Sequence, residues 1–366
     1  MEEWIALLGR RDTPVDGIED YCSFLRQALQ RQNVALRQTH VAWAKKGWFT
    51  ALRSLRAESA TWRGKWILLQ YTTMAWSRRG FPFGALAAVS ILRGRGVRCA
   101  IVFHEPIRQN GTRWIDLLRG TCQDLVIRRL YGRADKAIFA DPLGNIPWLP
   151  EKASKAVFIP IGANIPEGRT NDVPSHARNG KAKTVAVFCL SDVPNRRREL
   201  EDIAHAMRFV EQKGLKARIV FVGRGTAEAK GEIETLFDSG TVEVSNFGMQ
   251  SADEVCRILS EADAMLCVRG PLYMRRGSAI AGLACGLPII GYAGEAEGTP
   301  LEEAGVELVP YRNCEALGKA LHDVLVNANW QRILSARSWQ AQGRYFSWEQ
   351  IASSFVRSLE LGTVSN

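Results

Sequence analysis

No run of about 18 consecutive apolar residues occurs in this chain, which excludes a membrane-spanning helix. Cys-x-x-Cys is missing too. The eight cysteines (22, 99, 122, 189, 256, 267, 285 and 314) are scattered, and none pairs with a histidine at ligand spacing. That argues against a structural zinc site and for buried thiols in a reducing compartment. The G-x-G-x-x-G fingerprint is absent: Gly223-Arg224-Gly225 is followed by Glu228, which argues against a nicotinamide oxidoreductase. No Asp-x-Asp in suitable surroundings suggests Mg²⁺, so neither metal nor cofactor is expected. No segment has the composition of a disordered tail. The start, Met1-Glu2-Glu3-Trp4, lacks a basic n-region and runs into a strand-like segment. A signal peptide is therefore not expected, and a cytoplasmic location is.

What is present is ordinary in bulk and uneven in charge. Hydrophobic residues make up 46% and charged residues 23%, the balance of a globular protein. At 366 residues the chain outgrows a single core, so two domains are the default. The net charge of +10 asks for an anionic partner: nucleic acid, anionic lipid or a phosphorylated small molecule. Eleven tryptophans are many, and several lie beside cations. Trp43-Ala-Lys-Lys-Gly-Trp-Phe49, continuing to Arg53 and Arg56, and Trp76-Ser-Arg-Arg-Gly-Phe-Pro-Phe83 could meet a membrane headgroup layer or stack on bases. They could equally be amphipathic surface. No nucleic-acid recognition motif is present, so nucleic acid is the disfavoured partner.

Along the first half, apolar runs of strand length alternate with helical periodicities. Strands are expected at 4–8, 34–41, 66–71, 97–103, 136–140 and 155–162, and helices at 18–31, 83–95 and 113–131. Such alternation implies parallel pairing with right-handed crossovers, a Rossmann-like α/β sheet with ligands at the carboxyl ends of its strands. Candidate positions there are Asp16 and Gly17, the segment holding Tyr71 and Trp76, and His104 with Glu105. His104 follows a buried strand, so it is either a satisfied structural residue or faces a binding crevice. Residues 166–183, rich in Pro, Gly, Asn and Lys, are read as a linker between domains 1–165 and 184–345, with 346–366 as a terminal helix.

The alternation then restarts, with strands expected at 185–190, 217–222, 242–247, 264–268 and 306–309 and helices at 198–213 and 251–261, and two helices to end the chain. The stretch Arg275 to Tyr292 stands out. Arg275-Arg276-Gly277-Ser278 leads into small helix formers, Gly286 and Pro288 stop the helix, and Ile289-Ile290 begins a buried strand. A helix opening on Gly-Ser beside two arginines presents free N–H groups, the positive dipole end and cationic donors together, a site for a diphosphate. It could also be a simple cap with solvated arginines. Arg196, Arg197 and Arg198, placed in the first loop of this half, could reach the same crevice. Gly223, Arg224, Phe247 and Tyr273 complete the candidate donor-site residues.

The order of these motifs resembles the GT-B glycosyltransferases of the retaining, nucleotide-sugar-dependent type (the family 4-like, glycosyl transferases group 1 pattern). Pro14-Val-Asp-Gly-Ile-Glu-Asp-Tyr21 is similar to that family's acceptor loop, Val102-Phe-His-Glu-Pro106 to its strand-end histidine, and Ile159-Pro-Ile-Gly-Ala-Asn164 to its approach to the linker. Leu283-Ala-Cys-Gly-Leu-Pro-Ile-Ile290 is similar to its donor helix and strand, and Phe346-Ser-Trp348 to the crossing back of its last helix. The resemblance implies two Rossmann-like domains facing across a crevice and a retaining, metal-free transfer of sugar from a nucleoside diphosphate sugar. It implies a glycan or lipid-linked acceptor, cell-surface polysaccharide or glycoconjugate synthesis, and His104 at the transferred sugar with Arg276 at the diphosphate. A peripheral place on the cytoplasmic membrane face is an associated expectation. Two departures stand out. The family's paired glutamates fall on Tyr273 and Ala281, and its Gly-Arg on Cys189 and Leu190. A degenerate nucleotide-binding protein of the same fold is therefore the rival expectation.

Overall fold

The computed structural model describes residues 2–11, 16–109, 111–166, 182–238, 242–294 and 299–360. It holds two compact units, one built by the chain up to Ile161 and again from Trp348, the other by Gly162–Ser347.

The first unit runs β1 (Glu2–Leu8), α1 (Gly17–Gln30), β2 (Val34–His40), α2 (Trp43–Lys46), α3 (Trp48–Glu58), β3 (Trp66–Tyr71), α4 (Phe83–Arg93), β4 (Arg98–Phe103), α5 (Trp114–Arg133), β5 (Lys136–Phe139) and β6 (Ala156–Phe158). Its strands form a parallel sheet in the order β2-β1-β3-β4-β5-β6. A strand covered on both faces must be apolar at every position, and β1 shows how the two faces divide. Ile5 and Leu7 enter one core with Ala51, Leu55, Val89, Val126 and Leu130 of α3, α4 and α5. Trp4, Ala6 and Leu8 enter the opposite core with Cys22 and Leu25 of α1 and with Trp348, Ile351 and Phe355. Those last three belong to the chain's final described helix, so the C-terminal helix is part of this unit.

The aromatic-basic patches expected at the surface are mostly interior. Trp43 stacks on Trp48 at 4.8 Å, and Trp48 on Trp76 at 6.5 Å. Trp43 and Trp76 are buried, and their indole N–H groups donate to the carbonyls of Ala75 (3.0 Å) and Gln70 (2.8 Å). Large rings gain most by leaving water once the N–H has a partner, while Lys45, Lys46, Arg53 and Arg56 stay exposed. Helical spacing of Trp48, Leu52 and Leu55 carried this signal, and α2 and α3 were not expected. Of the rings in the first patch only Phe49, 82% exposed, faces solvent fully.

The second unit runs β7 (Lys183–Phe188), α6 (Asn195–Gln212), β8 (Ala217–Val222), α7 (Lys230–Leu236), β9 (Glu243–Asn246), α8 (Ala252–Ser260), β10 (Ala264–Pro271), α9 (Gly277–Ala284), β11 (Ile289–Tyr292), α10 (Pro300–Glu303), β12 (Val306–Val309), α11 (Cys314–Val326) and α12 (Ala328–Ala341). Its parallel sheet has the order β12-β11-β10-β7-β8-β9. Leu200, Ile203 and Met207 of α6 and Leu317, Leu321 and Val324 of α11 cover one face.

Three expectations shift. Most of the linker read at 166–183 lies outside the described residues, and its last residue, Lys183, already belongs to β7, where it pairs with Ala217 and its ammonium meets Asp263 at 3.2 Å. Polar residues thus start a strand that apolar periodicity alone would begin later. Among the described residues three α-helices, not two, follow β12: α11, α12 and α13 (Trp348–Glu360). The strand expected over 155–162 is confined to β6, because a single neighbour, β5, pairs it through Phe158.

Candidate functional site

In the second sheet the order of strands reverses between β7 and β10, so the loops beyond their carboxyl ends diverge and leave a crevice. An open pocket lies there, with Arg198, Glu199, Asp202, Arg269, Tyr292 and Arg312 on its walls. Beside it α9 begins. Arg276 is its N-cap residue, half-buried, and donates one guanidinium N–H to the Pro271 carbonyl at 3.2 Å. Gly277 is exposed, and a Cβ there would meet nothing within 4 Å. Ser278 is buried, its hydroxyl 4.0 Å from the Cys267 thiol. Burial pulls the Arg276 pKa below its ordinary value, and the neighbouring Arg269 adds to this. Glu199 opposes this only in part, and a buried cation in that condition gains from a further anion.

The three consecutive arginines expected in a loop stand instead in the first turn of α6, which begins at Asn195. On a helix successive side chains fan out by about 100°, so three in a row cannot share one pocket. Arg196 turns to α7 and grips the Glu232 carboxylate at 2.9 and 2.5 Å. Arg197 is exposed and pairs with Glu201 one turn on. Only Arg198 lines the pocket. Gly223 is a turn residue: its φ is +95°, and its amide donates to the Gly248 carbonyl at 2.7 Å. Arg224, Phe247 and Tyr273 are exposed.

Sequence reading missed Arg269 and Glu199. Arg269 is the first charged residue of β10, one position beyond the apolar run. Its Nε is buried with no hydrogen-bond partner among the described residues. Glu199 is 4% exposed, on the same face of α6 as Asp202, Ala206 and Val210, a spacing visible in the sequence. One carboxylate oxygen accepts the Ser191 N–H at 2.9 Å, and the other is buried and unpartnered among the described residues. Asp202 is held by the Tyr292 hydroxyl (2.7 Å) and the Cys314 thiol (3.1 Å).

Burial raises the Glu199 pKa above its ordinary 4.5, and the Ser191 N–H, Arg269 and Arg276 offset this only in part. The folded protein then keeps this proton to higher pH than the unfolded chain, so stability is lost as pH rises past the ordinary value. Glu199→Gln should accordingly melt higher than the parent at about pH 8 and match it near about pH 4, where both are neutral. Equal melting points at both pH values in a thermal denaturation series would contradict that assignment.

In the first unit His104 follows β4, 8% exposed. Its Nε2 lies 2.8 Å from Gln70 Oε1, and the Gln70 amide nitrogen donates to the Leu68 carbonyl. That fixes the Gln70 oxygen as acceptor and the His104 proton on Nε2. The imidazole meets the Tyr21 ring edge-on at 5.0 Å. Glu105 accepts the Thr73 N–H at 3.0 Å. Other expected acceptor residues serve the fold. Asp16 caps α1 through the N–H groups of Ile18 (2.9 Å) and Glu19 (3.1 Å), and Gly17 is the first residue of that helix. Tyr71 and Trp76 are fully buried, Tyr71 against Phe103, because they end or adjoin a strand covered on both faces.

No protein-family model and no curated protein matches the chain. Solved structures do. Sucrose-phosphate synthase from Thermosynechococcus elongatus superposes over 100% of both chains with a TM-score of 0.72 at 17% identity. HepE from Anabaena, in complex with UDP-glucose, is matched over 99% of this chain and 100% of its own, with a TM-score of 0.68 at 12% identity. A glycosyltransferase from Rickettsia africae is matched over 100% and 99% with a TM-score of 0.66 at 10% identity. The chain has the GT-B fold of these structures, two parallel six-stranded sheets with their helices.

Proposed function

We propose that the protein is a glycosyltransferase that moves a sugar from a nucleoside diphosphate sugar to a glycan or lipid-linked acceptor, with retention and without a metal. The observation that carries this reading is the gathering of Arg198, Arg269 and Arg276 at the carboxyl ends of β7 and β10 beside the first turn of α9. Breaking a glycosidic bond to a nucleotide leaves negative charge on the diphosphate, and fixed cations with helix N–H groups stabilise it without reorganising. The UDP-glucose bound by the structurally similar HepE supports a nucleotide sugar as donor.

We assign His104, at the end of β4, to the transferred sugar and Glu105 beside it to the acceptor, in cell-surface polysaccharide or glycoconjugate synthesis. His104→Ala should lower the rate of transfer roughly 100-fold, the usual loss for one positioned polar contact, with nucleotide affinity unchanged. A parallel fall in nucleotide affinity would move His104 away from the transferred sugar. The reading as a whole is tested by thermal-shift screening with UDP, GDP, ADP and their sugars. A true ligand at about 100 times its Kd adds about 2.7 kcal/mol and several degrees. No shift with any of them would defeat it.

A second reading is favoured by Tyr273 and Ala281, which leave α9 and its approach without a carboxylate. A nucleotide-binding protein without turnover would show the thermal shift but release no free nucleotide across a broad donor and acceptor screen.

A further inference from the structure

The 20-residue helix α5 is apolar on two sides, and only one of them is used. Gln123, Val126, Ile127 and Leu130 are buried against the sheet. On the opposite side Trp114 is 76% exposed, Leu117 61%, Leu118 48% and Leu125 45%. At about 100° per residue these four fall within an arc of about 100°, a continuous stripe over the first three turns. Arg128 and Arg129, both exposed, continue the same side toward the helix end. Large apolar side chains lined up in water, with cations beyond them, mark an interaction surface.

The charges select its occupant. Between Arg108 and Arg133 six arginines face two aspartates. Both aspartates are neutralised within the molecule: Asp116 by Arg113 (3.1 Å) and Arg119 (2.8 Å), Asp124 by Arg108 (3.3 Å). A second copy of the chain would bring like charge against like across this face, which costs rather than gains. An anionic bilayer supplies both missing halves, an acyl boundary for Trp114 and the leucines and phosphate groups for the arginines.

We infer that the outer face of α5 lies on anionic membrane surface, Trp114, Leu117, Leu118 and Leu125 entering the headgroup boundary with Arg128 and Arg129 against lipid phosphates. The inference stands apart from the transferase reading and survives its failure. This face differs from the patches around 43–49 and 76–83, where Trp43 and Trp76 are buried, in holding an exposed tryptophan and a run of exposed leucines beside its cations.

Flotation of the full chain with phosphatidylcholine vesicles, with and without phosphatidylglycerol, is the test. The protein should float with the anionic vesicles, and salt should weaken this. Trp114→Ala/Leu118→Ala and Arg128→Glu/Arg129→Glu should each reduce partitioning more than tenfold with melting temperatures unchanged. Equal flotation with neutral vesicles, no flotation, or undiminished flotation of both variants would overturn it. So would concentration-dependent self-association in sedimentation that either variant abolishes, since the face would then be covered by a second copy.

Discussion

Arg276→Ala is expected to remove donor turnover almost entirely, by roughly 100-fold or more, which corresponds to about 3 kcal/mol of barrier. The side chain sits at the N-cap of α9, bonded within the described contacts to one backbone carbonyl, with Arg269 as a like-charged neighbour. Its hydrogen bond within the fold is to the Pro271 carbonyl, so the folded state should survive its loss at a modest cost in melting temperature while the affinity for UDP or GDP falls. Arg196→Ala makes the informative contrast. Arg196 closes an ion pair with Glu232 between α6 and α7 and takes no part in the pocket wall. Its removal should lower the melting temperature slightly and leave turnover alone. Arg276→Lys should recover little, because an ammonium offers a point charge where a planar fork spans two acceptors. Product release by nucleotide-coupled assay and nucleotide affinity by calorimetry separate these cases. Full activity in Arg276→Ala would end the diphosphate assignment, and loss in Arg196→Ala equal to that in Arg276→Ala would reduce both to stability effects.

The contrast between those two arginines marks where sequence reading reaches its limit. Buried parallel strands announce themselves: 66–71 begins and ends as its sequence run does, because every position is buried and each end meets a turn. The start of α6 does not. Its N-cap, Pro194, offers no side-chain bond, so nothing in Asn195-Arg-Arg-Arg marks a helical turn, and three arginines that diverge were read as converging. Charge misled in a second way around Trp43 and Trp76. Adjacent lysines and arginines suggested surface, whereas the rings pack inward and the cations reach out from the same turns. The helix start at Arg276, Gly277 and Ser278 was legible because it is set locally, by backbone and neighbours. Arg269 and Glu199 were not, since their place depends on β10 lying beside β7.

The other end of α9 carries the second large effect. Gly286→Ala should destabilise the second unit by about 3 kcal/mol and lower its melting temperature by roughly 10 °C. The helix closes in a Schellman motif: the Gly286 N–H donates to the Leu283 carbonyl (2.9 Å) and the Leu287 N–H to that of Gly282 (3.0 Å). This requires φ of +68° at Gly286, which costs any other L-residue about 1 kcal/mol. A Cβ would also stand 2.1 Å from Trp339 Nε1 and 2.3 Å from its Cε2, so the indole of α12 must move. Overpacking of that kind adds about 2 kcal/mol. Gly277, at the opposite end, has neither constraint, and Gly277→Ala should melt with the parent. If α9 is the platform of the donor site, Gly286→Ala should weaken nucleotide binding at temperatures well below its melting point, by tilting the first turn. Chemical denaturation gives the stability difference, and calorimetry at low temperature gives the binding term. A melting point within two or three degrees of the parent would mean that Trp339 yields more readily than its packing implies. Unaltered affinity in a destabilised variant would show the first turn of α9 to be set by β10 rather than by its own C-terminus.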